Sequence, residues 1–257
     1  MGMNQKAHNF VPALVSTACY VLVIIMVVGY VFIYQVEPFE GTLNDVILSV
    51  AFAFAAFLAA AVGTANYLHY KPDDSPRVVW LNLAIGFWLW CLSEAVWCVY
   101  YIRSGFEEVP TPSWADIGWL AGYIFFAIAV YHQYALIFPS QRNRIRNTVY
   151  GISAVVLILP LVGLLAMNAF TLENYINYFY SFADLAVGVA GLIFVFSFRG
   201  AMIARPWIGM VVFSISDFLY AWALQAGIYA WALENGNMLT MVIDTTYLAA
   251  YLVLWLG

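Results

Sequence analysis

The sequence predicts an all-α integral membrane protein with eight transmembrane helices, arranged as two parallel four-helix repeats with both termini in the cytoplasm. Three observations lead to this prediction. Of the 257 residues, 65% are hydrophobic and 9% are charged, with a mean hydropathy of +0.87, whereas soluble domains carry about 25% charged residues. Eight stretches match the length of about 20 apolar residues that a bilayer-spanning helix needs. Finally, each half of the chain contains an octapeptide of the form D-x-x-(W/Y)-L-A-(G/A)-Y.

The eight predicted helices account for nearly the whole chain, residues 1–257, which we therefore expect to form a single polytopic membrane domain. They lie at about residues 10–34, 43–69, 78–102, 115–138, 147–168, 175–198, 206–230 and 238–256. A transmembrane β-barrel would need strict alternation of polar and apolar residues, and runs such as VLVIIMVVGYVFIY have none. The first apolar stretch is long and lacks a small-residue cleavage site, so it does not resemble a signal peptide.

The positions of the basic residues predict the orientation of the helices. Eight of the nine basic residues fall on the side of the membrane that holds the two termini: Lys6, Lys71, Arg77, Arg142, Arg144, Arg146, Arg199 and Arg205. Only Arg103 falls on the other side. Because basic loops are retained in the cytoplasm, we expect both termini there, in the cell inner (cytoplasmic) membrane. The net charge of −5 arises mainly from acidic outer loops, and nothing in it indicates binding to nucleic acid.

The recurring octapeptide indicates an internal duplication. DIGWLAGY in the first half recurs as DTTYLAAY 128 residues later, SEAVWCVY aligns with SDFLYAWA, and TLNDV aligns with SFADL. These alignments pair Asp116 with Asp244, Tyr123 with Tyr251, Glu94 with Asp217, Trp97 with Tyr220, and Asp45 with Asp184. We predict a first repeat at about 1–138 and a second at about 139–257. Because each repeat has an even number of helices, the two are parallel and related by a pseudo-two-fold axis along the membrane normal.

Six carboxylates recur in this pattern, and all are expected in the outer half of the membrane. An ionisable group at such depth costs at least ~2.5–3.5 kcal/mol and usually faces the interior of the bundle. Only one basic residue, Arg103, lies nearby, so tyrosine and tryptophan donors are expected to satisfy the acids. The predicted polar cavity between the halves consists of Glu94, Asp217, Asp116, Asp244, Trp97, Tyr220, Tyr123 and Tyr251. Asp45 and Asp184 are secondary candidates.

A structural role is the alternative for several of these acids. The segment PSWAD predicts a capping box in which Asp116 is the third helical residue. Asp45 and Asp184 are expected in the first turns of their helices, where an acid suits the helix dipole. Glu94 and Asp217 lie within long apolar helices. They form either a functional polar site or an inter-helix hydrogen bond that holds the halves together.

Other chemistries find little support in the sequence. The three cysteines form no metal-binding pattern, and no metal site is predicted. His69 and His132, near the cytoplasmic helix ends, are weak candidates for haem ligands, so no cofactor is assigned. No lysine lies within a helix to form a retinal Schiff base, and no nucleotide, zinc-protease or hydrolase motif occurs. We therefore predict that the protein is not an enzyme.

Aromatic residues make up 18% of the chain. Many are expected at the two membrane–water interfaces, where tyrosine and tryptophan concentrate. The examples are Tyr34, Tyr100, Tyr101, Trp114, Tyr175, Tyr178 and Trp231.

The segment EAVWCVYYIRSGFEEVPTPSWADIGWLAGYIFF resembles a poorly characterised multi-helix membrane module. The shared pattern is E-x-x-W-x-x-Y followed by P-x-P-S-x-A-D-x-x-(Y/W)-L-x-x-Y. In the second half of the chain, DTTYLAAYLVL resembles the closing helices of that module. That module often precedes diguanylate cyclase, phosphodiesterase or histidine kinase domains. The resemblance implies a signalling role and suggests no chemistry. Here the sequence stops at Gly257, directly after helix 8, so we expect output through a cytoplasmic partner or domain.

These observations predict a non-enzymatic membrane module of sensory or regulatory type. In it, a small hydrophobic or cationic ligand, or a proton, changes helix packing at the cavity and shifts the cytoplasmic helix ends. The alternative is a structural or accessory subunit of a larger membrane complex that docks lipid, pigment or other subunits. A proton or ion pathway is a third reading, although the cytoplasmic half offers no matching intramembrane acid or base.

Overall fold

The computed structural model describes residues 3–107, 109–198, 204–230 and 237–256, with side chains from residue 17 onward except at residues 198 and 225. Within these ranges it contains eight α-helices and no β-strand, which confirms the all-α prediction. The helices are α1 Met3–Val36, α2 Leu43–His69, α3 Pro76–Arg103, α4 Trp114–Ile137, α5 Arg142–Ala166, α6 Leu172–Phe198, α7 Arg205–Gln225 and α8 Met238–Trp255.

All eight helices are long and apolar enough to cross a membrane. Their outer faces carry large apolar side chains, among which Ile24 is 61%, Ile124 62% and Phe196 75% exposed. Water penalises exposed apolar surface by about 25 cal/mol per Å², whereas lipid tails solvate it. The chain is therefore a multi-pass membrane protein that lies in a lipid bilayer.

Each half of the chain packs its helices in the same sequence of neighbours. In the first half α2 packs on α3 and α3 on α4, and in the second half α6 packs on α7 and α7 on α8. α1 contacts α2 and α8, while α5 contacts α6 and α4. The halves meet where α2 contacts α8 and where α4 contacts α6. The two junctions flank the centre of the bundle.

Small residues bring the helices close together. The α2 side chains that are at most 1% exposed are all alanines: Ala55, Ala56, Ala59 and Ala60. On α3, Gly86 leaves the space that the ring of Phe126 on α4 occupies. Because lipid tails are as apolar as the side chains, close van der Waals contact drives helix association in a membrane.

Three helix bounds differ from prediction by five residues or more. α1 starts at Met3 rather than near residue 10, α5 starts at Arg142 rather than near residue 147, and α7 ends at Gln225 rather than near residue 230. Gly227 stops α7 because its φ of 66° is a left-handed conformation that glycine adopts without strain. The amide of Ile228 then donates to the carbonyl of Ala223 at 3.0 Å, which closes the helix end. The chain turns back toward α8 as a result.

Candidate functional site

A cavity of about 570 Å³ lies between the two halves. It is at the end of the bundle where α3 and α7 finish and where α4, α6 and α8 begin, and its walls come mainly from these five helices. Small-molecule sites in proteins commonly occupy about 300–1,000 Å³. The cavity is therefore large enough for a small organic ligand.

The described lining of this cavity contains six carboxyl groups and no lysine, arginine or histidine. The six acids are Glu94, Asp116, Glu173, Asp184, Asp217 and Asp244. Five of them belong to the recurring acids of the sequence, and Glu173 is an exposed addition at the start of α6. The remaining recurring acid, Asp45, lies in a neighbouring pocket of about 40 Å³ that also reaches Asp244.

Aromatic side chains form half of the remaining wall. The indole of Trp90, 1% exposed, packs with its ring centroid 4.5 Å from that of Phe213. Its Nε1 donates to the carbonyl of Trp119 at 3.1 Å. Trp90 and Phe213 come from different halves of the chain, so their contact joins α3 to α7 beneath the carboxyl groups.

Glu94 is buried and accepts two hydrogen bonds from the opposite half. The hydroxyls of Tyr247 and Tyr251 on α8 donate to its Oε1 at 2.5 and 2.9 Å. The indole Nε1 of Trp119 is buried without a hydrogen bond of regular geometry, although it lies close enough to interact with Glu94. Glu94 therefore forms an inter-helix bridge, one of the two roles that its sequence position predicts.

Asp116 has the structural role that the sequence predicts. Its Oδ2 accepts the backbone amide of Ser113 at 2.5 Å, and the capping box at the start of α4 is present. Its Oδ1 accepts the hydroxyl of Tyr180 on α6 at 2.7 Å. Both oxygens are thus occupied, and Asp116 ties the start of α4 to α6.

Asp184 does not lie where the sequence predicted. It is in the middle of α6, twelve residues after the first residue, Leu172, which corresponds to about 18 Å along the axis, and the first-turn prediction is wrong. Its Oδ1 accepts the hydroxyl of Tyr123 at 2.5 Å, while its buried Oδ2 has no hydrogen-bond partner. Asp217 of α7 lies close enough for the two carboxyl groups to interact.

Asp244 and Asp45 lie on the side of the cavity that faces α1. Asp244 accepts the hydroxyl of Tyr229 at 2.9 Å. Tyr229 reaches this position because α7 stops early at its glycine. Asp45 lies in the first turn of α2, as predicted. It lines the small pocket with Tyr34 and Tyr101.

Seven of the eight predicted cavity residues line the cavity. Tyr251 is the eighth; it is fully buried and lies behind the lining, where it donates to Glu94. Trp97 stacks on Tyr101 with 4.8 Å between ring centroids, and Tyr220 meets Tyr229 edge to face at 4.9 Å. The structure therefore brings the predicted residues together around one cavity.

Some of the aromatics that were predicted at the membrane–water interfaces are buried within the bundle. Tyr34 and Tyr101 are 3% and 7% exposed, and both line the small pocket beside Asp45. Tyr178 lines the cavity. Trp114, by contrast, is 72% exposed at the start of α4. Trp231 lies outside the described residues.

Three of the aromatic wall residues outside the predicted set have a signal in the sequence. Trp90, Tyr180 and Phe213 each precede an acid by four residues: Glu94, Asp184 and Asp217 respectively. Residues four apart lie on one helical face, so the acid and the ring point into the same cavity. No sequence pattern predicts the position of Tyr229, because that position depends on where α7 ends.

The two histidines considered as haem ligands do not line this cavity. Among the described residues, no group of three or more histidine, cysteine, aspartate or glutamate side chains is arranged to hold a metal ion. The arrangement offers hydrogen-bond acceptors and aromatic faces, so it suits a positively charged guest better than a nucleophilic or redox reaction.

No family model, no curated protein sequence and no solved structure matches this chain. The resemblance to the signalling-associated membrane module therefore stays a prediction. The function therefore has to be inferred from the chemistry of the site itself.

Proposed function

We propose that the protein is a non-enzymatic sensory or regulatory membrane module whose input site is the carboxylate-lined cavity. The observation that carries the proposal is that tyrosines of one half donate to carboxylates of the other at this cavity. Tyr247 of α8 bonds Glu94 of α3, and Tyr123 of α4 bonds Asp184 of α6. A guest or proton that competes for these carboxylates changes the bonds that hold the halves together.

A change in these bonds has a route to the far end of the bundle. Helices are rigid elements that shift by about 1–2 Å at interfaces when their contacts change. The bonded side chains lie on α3, α4, α6 and α8, and each of these helices continues to the opposite end. We propose that this end is cytoplasmic, which the positive-inside rule supports because Arg77, Arg142 and Arg205 lie there. A cytoplasmic partner or domain would receive the signal.

The proposed duplication of a four-helix unit agrees with the packing. Exchanging α1–α4 with α5–α8 turns every helix contact described above into another observed contact. Details also repeat: Gly86 faces the ring of Phe126, and Gly209 faces the side chain of Leu254. The two glycines are 123 residues apart, which is the offset between SEAVWCVY and SDFLYAWA. Their partners are 128 residues apart, which is the offset between DIGWLAGY and DTTYLAAY.

The repeated contacts support a different partner for Asp184 within this duplication. The thiol of Cys91 is 4.0 Å from the carbonyl of Ala53, and the hydroxyl of Ser214 is 2.6 Å from the carbonyl of Asp184. Since the alignment pairs Cys91 with Ser214, Ala53 is the better counterpart of Asp184. Asp45, which the sequence alignment pairs with Asp184, lies eight residues before Ala53 in α2.

Distance measurements between spin labels at the far end test the sensory proposal. We suggest Asp73→Cys and Ser140→Cys in a chain without the native cysteines, since both positions are exposed. Removing a carboxylate charge with Glu94→Gln or Asp217→Asn should shift the label distance by about 1–2 Å without unfolding the protein. Glu40→Gln, an exposed loop acid outside the cavity lining, is the matched control. Unchanged distances in both cavity variants would refute the proposal.

An accessory subunit of a membrane complex is the second candidate, and α5 favours it. Its buried residues are Pro160 and Leu164 alone, and its remaining apolar face is free to contact lipid or another membrane protein. Purification from native membranes in a mild detergent distinguishes the two. A stoichiometric partner that is lost on changing exposed α5 residues, such as Leu157→Ser with Leu161→Ser, supports docking. A chain that purifies alone and responds at its labels supports the sensory module.

A further inference from the structure

The two carboxylate centres of the cavity differ in how well they are satisfied. At the first centre, Glu94 is a single acid that receives two tyrosine hydroxyls. At the second, Asp184 receives one tyrosine hydroxyl, from Tyr123, and the carboxyl group of Asp217 lies close enough to interact with that of Asp184. The second centre therefore has more acceptors and fewer donors than the first.

The proposed duplication explains the source of this imbalance. The counterpart of Asp184 in the first half is Ala53, so the second half has an additional carboxyl group. The counterpart of Tyr247 is Trp119, whose indole Nε1 makes no regular hydrogen bond. Compared with the first centre, the second therefore has one more carboxyl group and one fewer hydroxyl donor.

This imbalance leaves a buried polar atom without a partner. Asp184 is 3% exposed, lines the cavity, and its Oδ2 accepts no hydrogen bond. An unsatisfied buried acceptor destabilises the folded protein, because it has lost its hydrogen bonds to water. Two carboxylates in contact also repel each other unless a proton or a cation lies between them. No basic side chain of the described lining supplies that charge.

The rest of the cavity indicates an organic cation. The described residues offer no convergent metal-ligand group, and about 570 Å³ is far more space than a bare ion needs. A protonated amine carries up to three N–H donors, and one of them can donate to the unpaired Oδ2 of Asp184. Eleven aromatic side chains line the cavity, and aromatic faces attract cations and apolar groups.

We propose that the cavity binds a protonated amine with an apolar body, that its ammonium group lies between Asp184 and Asp217, and that its body packs on the aromatic walls. This inference names the ligand class of the proposed sensory site and rests on that proposal for its biological meaning. Binding itself can be measured separately.

Calorimetry with three probes of similar size tests the ligand class on the wild-type protein. Phenethylammonium carries the charge and the aromatic body, 2-phenylethanol lacks the charge, and 3-phenylpropionate reverses it. A charged hydrogen bond to a buried carboxylate corresponds to a gain of about tenfold or more in affinity. We expect phenethylammonium to bind at least tenfold more tightly than the alcohol, and the carboxylate not to bind. Equal affinities for ammonium and alcohol, or no ammonium binding, would overturn the proposal.

Variants then test the assigned anchor. The double substitution Asp184→Asn with Asp217→Asn should weaken phenethylammonium binding at least tenfold and leave 2-phenylethanol unchanged. Asp45→Asn, which removes a membrane acid outside the cavity, is the matched control, and thermal unfolding checks that each variant folds. An equal loss in Asp45→Asn, or a larger loss in Glu94→Gln than in the double variant, would contradict the assignment.

The two proposals fail in different ways. Amine binding without movement of the labels at the far end would refute the sensory role and leave the binding site standing. Label movement in Glu94→Gln without amine binding would refute the binding site and leave the sensory role standing.

Discussion

Tyr123 of α4 donates a 2.5 Å hydrogen bond to Asp184 of α6, and the reverse bond runs from α6 back to α4. In the second bond Tyr180 donates to Asp116 at 2.7 Å. The reciprocal pair joins helices from different halves of the chain. Because each bond has a carboxylate acceptor, the junction between α4 and α6 depends on the state of the acids in the cavity.

Tyr123→Phe should lower the free energy of unfolding by about 1–2 kcal/mol. The substitution removes the donor to Oδ1 of Asp184, whose Oδ2 already lacks a partner. Reversible unfolding in mixed micelles measures the change. Tyr150→Phe, on the 65%-exposed Tyr150 of α5, removes the same hydroxyl where no buried bond is lost. A similar loss in both variants would show that the buried bond contributes nothing specific.

Tyr247→Phe and Tyr251→Phe should be coupled through Glu94. Each single variant leaves one donor on Oε1, so we expect a loss of about 0.5–1 kcal/mol in the free energy of unfolding. The double variant should lose more than the sum, because the buried carboxylate then has no hydroxyl donor. The same unfolding assay in a Glu94→Gln background should show weaker coupling. Strict additivity in the native background would contradict this account.

Gly86→Ala should destabilise the contact between α3 and α4 by about 1–3 kcal/mol. A methyl group at Gly86 would overlap the ring of Phe126, which is fully buried and packs against the rings of Phe87 and Trp90. Gly163→Ala on α5 is the control, since its methyl group would meet open space and alanine favours a helix. Adding Phe126→Leu should recover part of the loss. A stable Gly86→Ala protein would show that α3 and α4 pack less closely than the structure has them.

Local features could be predicted because their causes lie within a few residues. The capping box at Asp116 depends on a serine three positions earlier, and the eight spans depend on runs of apolar residues that exceed the bilayer thickness. The recurrence of acids at matching spacings also identified five of the six carboxyl groups that line the cavity. These patterns need no knowledge of which helices are neighbours.

The partners of the acids could not be predicted, because they depend on which helices become neighbours. Residue 184 was expected in a first turn, yet it lies mid-helix and meets a tyrosine 61 positions away. Tyr34 and Tyr101 were expected at the membrane surface, and helix rotation buries them.

The sequence by itself therefore determined the membrane environment, the helix count and the supply of carboxylates and aromatic rings. Only the tertiary structure decided that Glu94 receives two hydroxyls while Asp184 keeps one free oxygen. A hydrogen bond across two helices requires both their contact and their rotation about their own axes. In lipid that geometry follows from the packing of small residues such as Gly86 against distant rings, which no local pattern encodes.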